Sequence, residues 1–513
     1  MYQFAVLIGL YSYSIFFIGV AGLLNRGLVA LLTAVFSTLV IILIFRLIKF
    51  PPISGIKKGI TQLKFFEKII LLLLLSQIIV NLIGVLGPEL AFDSLWYHLT
   101  LPKIYIENHK IFHIPGGLLY YSDMPKLIEV LYVPILMFGN EIAAKFIEFL
   151  FGLGCLLVLY ELSRKFISKT SALIVLLIFY SNLVVDWLSI TSYVDLGRTF
   201  FELIALCYLL VYIKEKKIRN LIFSAVALGF AISTKIFSGL DVLIFAALIL
   251  MFTKSFKNLT VFIFISLLIP LPWFIFAFVN SGHPFYPFFS SIYPISLSAN
   301  LSNILNFIHS PDPISPIYLI CFPIILILFR KFHKYERLIA FYSSLCFIVW
   351  FFAPQSGGGR FILAYLPAFS LLVILSVDKL KNKFLKSYIL FLILFVAITS
   401  IGYRGIANIK YIPVIFGTES KFKFLTKNLN FSFGDFYDVD NYFETHIKGS
   451  DRVLIYGIHN LYYVNFPYIH ESWYKKGDYF DYVLVRGDIP QKFKDVNPVY
   501  ENSTTNVKLY KAK

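Results

Sequence analysis

The chain is poor in charge and poorest in acid. Only 15% of its 513 residues are charged, and 29 Asp and Glu stand against 46 Lys and Arg. With 58% hydrophobic residues and a mean hydropathy of +0.77, it has too little polar surface for a soluble globule, whose apolar share is roughly 45–50%. Cysteine is scarce as well. Cys155, Cys207, Cys321 and Cys346 lie inside apolar runs, at spacings that suit neither a disulfide framework nor a zinc site. They read as small core residues. No fixed-period repeat, low-complexity tract or GxGxxG turn is present, and Gly457 stands alone after a strand-like run. A nucleotide site there is not expected. The net charge of +17 invites a nucleic-acid reading, but the basic residues gather in short groups between apolar runs. That arrangement is a membrane-topology signal.

A membrane span needs about 20 apolar residues. Runs that meet or approach this length lie at 2–24, 28–45, 69–88, 141–162, 171–188, 197–213, 220–234, 239–253, 258–279, 317–329, 338–353, 361–377 and 388–402. The expected fold is therefore a polytopic α-helical membrane protein of about 13 spans. The run at 4–24 lacks a basic leading segment and a small-residue cleavage site, so it is expected to be a retained span.

The basic groups set the orientation. Six loops on one side carry 23 Lys and Arg, against 8 at all other positions before residue 403. The positive-inside rule makes those loops and the N-terminus cytoplasmic. Two long loops, 89–139 and 280–316, then face outward. The first holds amphipathic patches at 99–106 and 126–138, too short to span and expected to lie in the interface plane. After residue 402 the composition turns polar and aromatic, with strand-like runs at 452–456, 482–485 and 507–510. Three units are expected: residues 1–68, two leading spans and a basic loop; 69–402, the main membrane module; and 403–513, a small external α/β domain.

No soluble domain remains for the cytoplasmic side. Any chemistry belongs to the external half, where a donor must arrive through the membrane. The stretch FDSLWYHLTLP, residues 92–102, places Asp93 beside Trp96, Tyr97 and His98 directly after an apolar run. Ionisable groups at such a boundary are costly to keep and are functional suspects. Asp93 could act as a base or cap an interfacial helix. Asp195, in YVD of the second outer loop, could join it or cap the sixth span. Arg360 follows three glycines whose amides could cradle phosphate oxygens, or it snorkels at a span end. Lys235 could meet a phosphate or pair with Asp241. Lys103 is a further cation on the same face. His98 could be catalytic or a hydrogen-bonded interfacial residue, and His109, His113, His283 and His309 lack metal-ligand spacing.

The order of an apolar span, FDSLWYHLTLPKIY, YVDLGRTFFEL, GFAISTKIFSG and a late GGRFILAYLP resembles the GT-C class of integral membrane glycosyltransferases. The likeness covers roughly residues 69–400 and lies nearest the branch of protein mannosyltransferases and the aminoarabinose transferase of lipid A. It implies an inverting transfer of a sugar from a polyprenyl-phosphate donor to a hydroxyl on an external glycan, lipid or protein acceptor, with no cofactor beyond that lipid-linked substrate and divalent metal left open. In that class the acid of the first outer loop is the base, here Asp93, and an acid of the second assists, here Asp195. A late Arg contacts the lipid phosphate, here Arg360, although Phe361 stands where Tyr is commoner. Trp96, Tyr97, His98, Lys103 and Lys235 complete the expected substrate site. The protein would be multi-pass in the cell (inner) membrane. The rival readings are a flippase that moves a lipid-linked glycan without chemistry, against which stands the absence of duplicated broken helices, and an assembly protein whose external domain binds partners.

Overall fold

The computed structural model describes residues 1–47, 62–290, 292–293, 313–352, 359–488, 490–491 and 496–512. His309, Asp312, two of the glycines before Arg360, and Lys49, Lys57 and Lys58 of the first basic loop lie outside the described residues.

Every predicted apolar run is helical over most of its length. The chain opens with α1 (Tyr2–Val20), α2 (Arg26–Leu47) and α3 (Phe65–Leu86). The segment after α3 carries α4 (Thr100–Glu107) and α5 (Glu129–Phe138), helices at the two amphipathic patches of the sequence. Then come α6 (Glu141–Ser163), α7 (Lys169–Tyr180), α8 (Leu183–Leu188), α9 (Asp195–Glu215) and α10 (Ile218–Thr234). The membrane part ends with α11 (Asp241–Thr253), α12 (Phe256–Leu268), α13 (Leu271–Ser281), α14 (Ile317–Leu328), α15 (Lys334–Phe352), α16 (Leu366–Asp378) and α17 (Lys383–Asn408). Among the described residues eight helices are long and apolar enough to cross a membrane, or nine if α12 and α13 form one span bent by 54°. Pro270 and Pro272 make that bend, since neither can donate to the helix ladder. The fifth run is split into α7 and α8 at Ser181 and Asn182.

Local chemistry sets several helix starts. Asn140 accepts from the amides of Ile142 and Ala143, and Ser168 and Asn382 cap α7 and α17 in the same way. Each such cap contributes about 1 kcal/mol. Packing then orders the bundle. In α9, 89% of the span is buried, so it is the central helix, with α6 and α10 against it. Only 6% of α2 is buried, and Leu31, Ile42 and Phe45 are more than half exposed. An apolar face of this size is stable in lipid and a liability in water. The protein is an integral, multi-pass membrane protein.

Beyond α17 lie α18 (Ile412–Ile415), α19 (Lys421–Asn428) and α20 (Tyr442–His446). They lead into β1 (Val453–Tyr456), β2 (Tyr468–His470), β3 (Tyr482–Arg486), β4 (Tyr500–Asn502) and β5 (Val507–Lys511). The sheet order is β2-β1-β3-β5-β4; β1 is parallel to β2 and β3, and β5 is antiparallel to β3 and β4. Strand alternation divides its side chains between two cores. Val453, Ile455, Leu484 and Leu509 pack toward the segment between α3 and α6, and Leu454, Val483, Val485 and Tyr510 pack on the other side. β2 and β4 are too short to have stood out in the sequence.

This domain is docked on the long segment between α3 and α6. Tyr462 donates its amide to Leu95 O at 3.3 Å, and Tyr463 Oη donates to Glu89 O at 3.0 Å. Lys421 Nζ lies 2.5 Å from Glu141 Oε1. Gly116 passes so close to Ser472 that a Cβ there would lie 1.8 Å from the Ser472 carbonyl oxygen. The sheet domain and the Asp93 loop therefore share one face of the molecule.

Candidate active site

The entry to the Asp93 loop is fixed from below by a buried lysine. Lys145, on α6, donates to the carbonyls of Gly84 at 2.7 Å and Gly87 at 2.8 Å, which close α3. Carbonyls at a helix end lack their full set of intrahelical donors, and a buried ammonium supplies one while they compensate its charge. Glu89 ties the loop to its neighbour. One carboxylate oxygen accepts from the amides of Leu90 and Ala91, and the other accepts from Ser192 at 2.7 Å. Residues 94–98 then form a widened turn in which the Leu99 amide reaches back to Ser94 O at 2.9 Å. Such π-turns recur at functional sites. Asp93 opens this turn, but its side chain makes no capping bond. Its carboxylate points elsewhere.

The Arg360 guanidinium joins the two loop acids. Its Nη1 donates to Asp93 Oδ2 at 2.5 Å and its Nε to Asp195 Oδ2 at 2.9 Å. Lys235 Nζ takes the other oxygen of Asp195 at 2.7 Å. The result is a continuous chain, Asp93–Arg360–Asp195–Lys235, drawn from four segments. Side-chain exposure falls from 20% at Asp93 to 14–15% at the two cations and 2% at Asp195. Asp93 is the group most open to an incoming molecule.

Aromatic rings line the chain. The guanidinium lies 4.2 Å from the Tyr193 ring centroid, and Lys235 lies 4.9 Å from that of Phe361. Tyr193 Oη accepts from the Asp93 amide at 3.2 Å, and Tyr97 Oη reaches Asp93 Oδ2 at 3.4 Å. Tyr97 stacks on Tyr121 with centroids 3.6 Å apart. Burial, and next the Asp93 charge, push the Tyr97 and Tyr193 phenols well above their ordinary values. Both rings stay protonated and can donate. Phe433 of the C-terminal domain packs against Phe92 at 5.1 Å, so that domain reaches the residue next to Asp93.

Asp195 is freed from capping by a residue that sequence reasoning passed over. Glu148, buried on α6, accepts from the amides of Leu196 at 2.7 Å and Gly197 at 3.1 Å. It satisfies the start of α9, and the Asp195 side chain turns to the cations instead. Glu148 and Lys145 were legible in principle as charges inside an apolar run, a pattern that marks either function or a specific partner.

The other expected residues divide. Trp96 and His98 flank the chain: Trp96 Nε1 donates to Leu118 O at 3.1 Å, and His98 Nδ1 lies 2.6 Å from Glu129 Oε1. Lys103 is not part of this chain of charges. Its ammonium donates to Tyr462 O at 2.9 Å and to Val464 O, holding the C-terminal domain on α4. The Lys235–Asp241 pair does not form. Asp241 turns instead to Arg198 and Tyr365.

The chain is thus a multi-pass helical bundle whose charged cluster lies beside a docked sheet domain. Residues 124–276 match the family model described as dolichyl-phosphate-mannose-protein mannosyltransferase. The fold is similar to that of ArnT from Cupriavidus metallidurans in its crystal structure bound to undecaprenyl phosphate. The TM-score is 0.61 at 13% identity, over 86% of this chain and 97% of that one. The apo state of the same protein gives a TM-score of 0.59 at 12% identity and the same coverage. At such identity the likeness is one of fold. The curated proteins include no match.

Proposed function

We propose that the protein transfers a sugar from a polyprenyl-phosphate donor to a hydroxyl acceptor on the outer face of the membrane. The observation that carries this reading is the Asp93–Arg360–Asp195–Lys235 chain, which sets one partly exposed carboxylate beside two cations. It is supported by the family model over residues 124–276 and by the fold shared with a protein crystallised with undecaprenyl phosphate. Thirteen crossings with the basic loops inside would put this rim and the C-terminal domain outside.

Asp93 takes the proton of the acceptor hydroxyl as its oxygen attacks the anomeric carbon. The bond from that carbon to the phosphate oxygen breaks, and the electron pair leaves with polyprenyl phosphate. Arg360 and Lys235 meet the charge that develops. Attack opposite the leaving group inverts the anomeric centre. Asp195 keeps the two cations from repelling each other. A donor phosphate competes with Asp93 for Nη1 of Arg360, so donor binding releases the carboxylate it needs as base.

The test is transfer of label from a polyprenyl-phosphate sugar by purified protein in lipid. Asp93→Asn is expected to insert and fold, with a stability loss of about 1 kcal/mol and transfer lowered at least a thousandfold. An active Asp93→Asn protein would remove Asp93 as base. Movement of the intact lipid-linked sugar across the bilayer, with its glycosidic bond unbroken, would establish a transporter.

A further inference from the structure

Three segments bring cations and acid to the site: the start of α9 with Asp195, the turn after α10 with Lys235, and the turn before α16 with Arg360. One step deeper in the bundle the same three segments meet again. Arg198 lies one helical turn beyond Asp195. Its Nε donates to Glu202 Oε1 at 2.7 Å and to Ser238 Oγ at 2.8 Å. Its Nη2 reaches Asp241 Oδ2 at 3.3 Å and Tyr365 Oη at 3.2 Å. Ser238, in the Lys235 turn, donates to Glu202 at 2.5 Å, and Tyr365, in the Arg360 turn, donates to Asp241 Oδ1 at 2.5 Å.

All five residues are nearly or fully buried among apolar side chains. Burying a guanidinium and two carboxylates rarely beats a well-packed apolar core in stability, and what such a cluster can supply instead is a fixed geometry. Its bonds run between the segments that present Asp195, Lys235 and Arg360; Oε2 of Glu202 has no hydrogen-bond partner among the described residues, while Oε1 is shared by Arg198 and Ser238, and in a low-dielectric interior bonds of this kind resist displacement.

We propose that Arg198, Glu202, Ser238, Asp241 and Tyr365 are positioning residues that set the spacing between the Lys235 and Arg360 cations, and so the grip on the donor phosphate. The proposal rests on the transferase reading. The network touches no substrate and acts through the two cations above it.

The experiment measures binding of undecaprenyl phosphate to the full chain in lipid nanodiscs, alongside the melting temperature. Tyr365→Phe is expected to weaken binding at least tenfold. Leu371→Ala, a buried change outside the network, is expected to lower the melting temperature and leave affinity within twofold. Combined with Lys235→Ala, Tyr365→Phe should cost less than the product of the separate losses, since both act on one contact. Ser238→Ala, which removes a hydroxyl and opens little space, repeats the test if Tyr365→Phe does not fold, with a loss of threefold or more expected. Wild-type affinity in these variants, or losses that multiply with Lys235→Ala, would overturn the positioning role and leave the transferase reading standing. A wild-type protein that neither binds the lipid nor transfers would overturn that reading, and this proposal with it.

Discussion

Replacing Arg360 separates what its charge does for the fold from what its shape does for chemistry. The guanidinium offers two edges at once, Nη1 to Asp93 at 2.5 Å and Nε to Asp195 at 2.9 Å, with its face on Tyr193. Arg360→Gln removes the cation and leaves Asp195, whose side chain is 2% exposed, with Lys235 as its remaining charge partner among the described residues. Breaking a buried pair from one side costs about 3–5 kcal/mol. Asp93 is a fifth exposed and recovers some hydration, so a loss near the lower end, about 3 kcal/mol, is expected. Arg360→Lys keeps the charge but presents a single ammonium, which cannot hold both acids in the planar fork. Its stability loss should be about 1 kcal/mol, the scale of one hydrogen bond.

Transfer should respond differently. Loss of one preorganised donor to a developing charge lowers kcat by about 10²–10³-fold, and that is the expectation for Arg360→Lys as well as Arg360→Gln. The measurements are kcat and KM with a labelled polyprenyl-phosphate sugar and denaturation of the same preparations in one detergent. An Arg360→Lys enzyme within threefold of the wild type in kcat/KM would refute the phosphate role. A loss of activity that merely tracked unfolding would refute the separation of shape from charge.

The other expectations concern the scaffold around the site. Glu148→Gln keeps one acceptor at the start of α9 and replaces the other with an amide nitrogen; a stability loss of about 1–2 kcal/mol is expected, with a fall in kcat as the freed amide draws Asp195 back to capping. Lys103→Met leaves the carbonyls of Tyr462 and Val464 without their ammonium partner, and faster proteolytic release of the C-terminal domain is expected, with donor KM unchanged. His470 gives a pH dependence. Its Nε2 donates to Ile458 O at 2.8 Å while Nδ1 accepts from the Ser472 amide at 3.1 Å, a neutral tautomer, and burial pushes its pKa down to about 4. The unfolded chain binds the proton near 6.5, so the domain should lose stability as pH falls from about 6.5 to about 4, by roughly 3 kcal/mol in all. His470→Gln should flatten that slope in thermal melts.

Much of the fold was legible because lipid imposes a simple rule on sequence. The helices of the apolar runs and of the two amphipathic patches followed from length and composition, and three of the five strands followed from β-branched and aromatic runs. β2 and β4, three residues each, carry too little pattern to be read alone. The bend at Pro270 and Pro272 showed as an interruption, whereas the split at Ser181 and Asn182 did not, because neither residue forbids a helix.

The site was legible in its members and opaque in its wiring. Asp93, Asp195, Lys235 and Arg360 were singled out because ions at a membrane rim are expensive, and the structure brings these four together. No local pattern shows that Arg360 meets a carboxylate 267 residues earlier, or that Lys103 serves the C-terminal domain. The same cost argument, applied inside the apolar runs, would have singled out Lys145, Glu148 and Glu202. Each is a charge in a helix that otherwise reads as oil, and each must have partners to be tolerated there. Finding those partners in one rim layer and one deeper layer, on the same three segments, is what turns a set of isolated suspects into a site whose cation spacing has a structural cause.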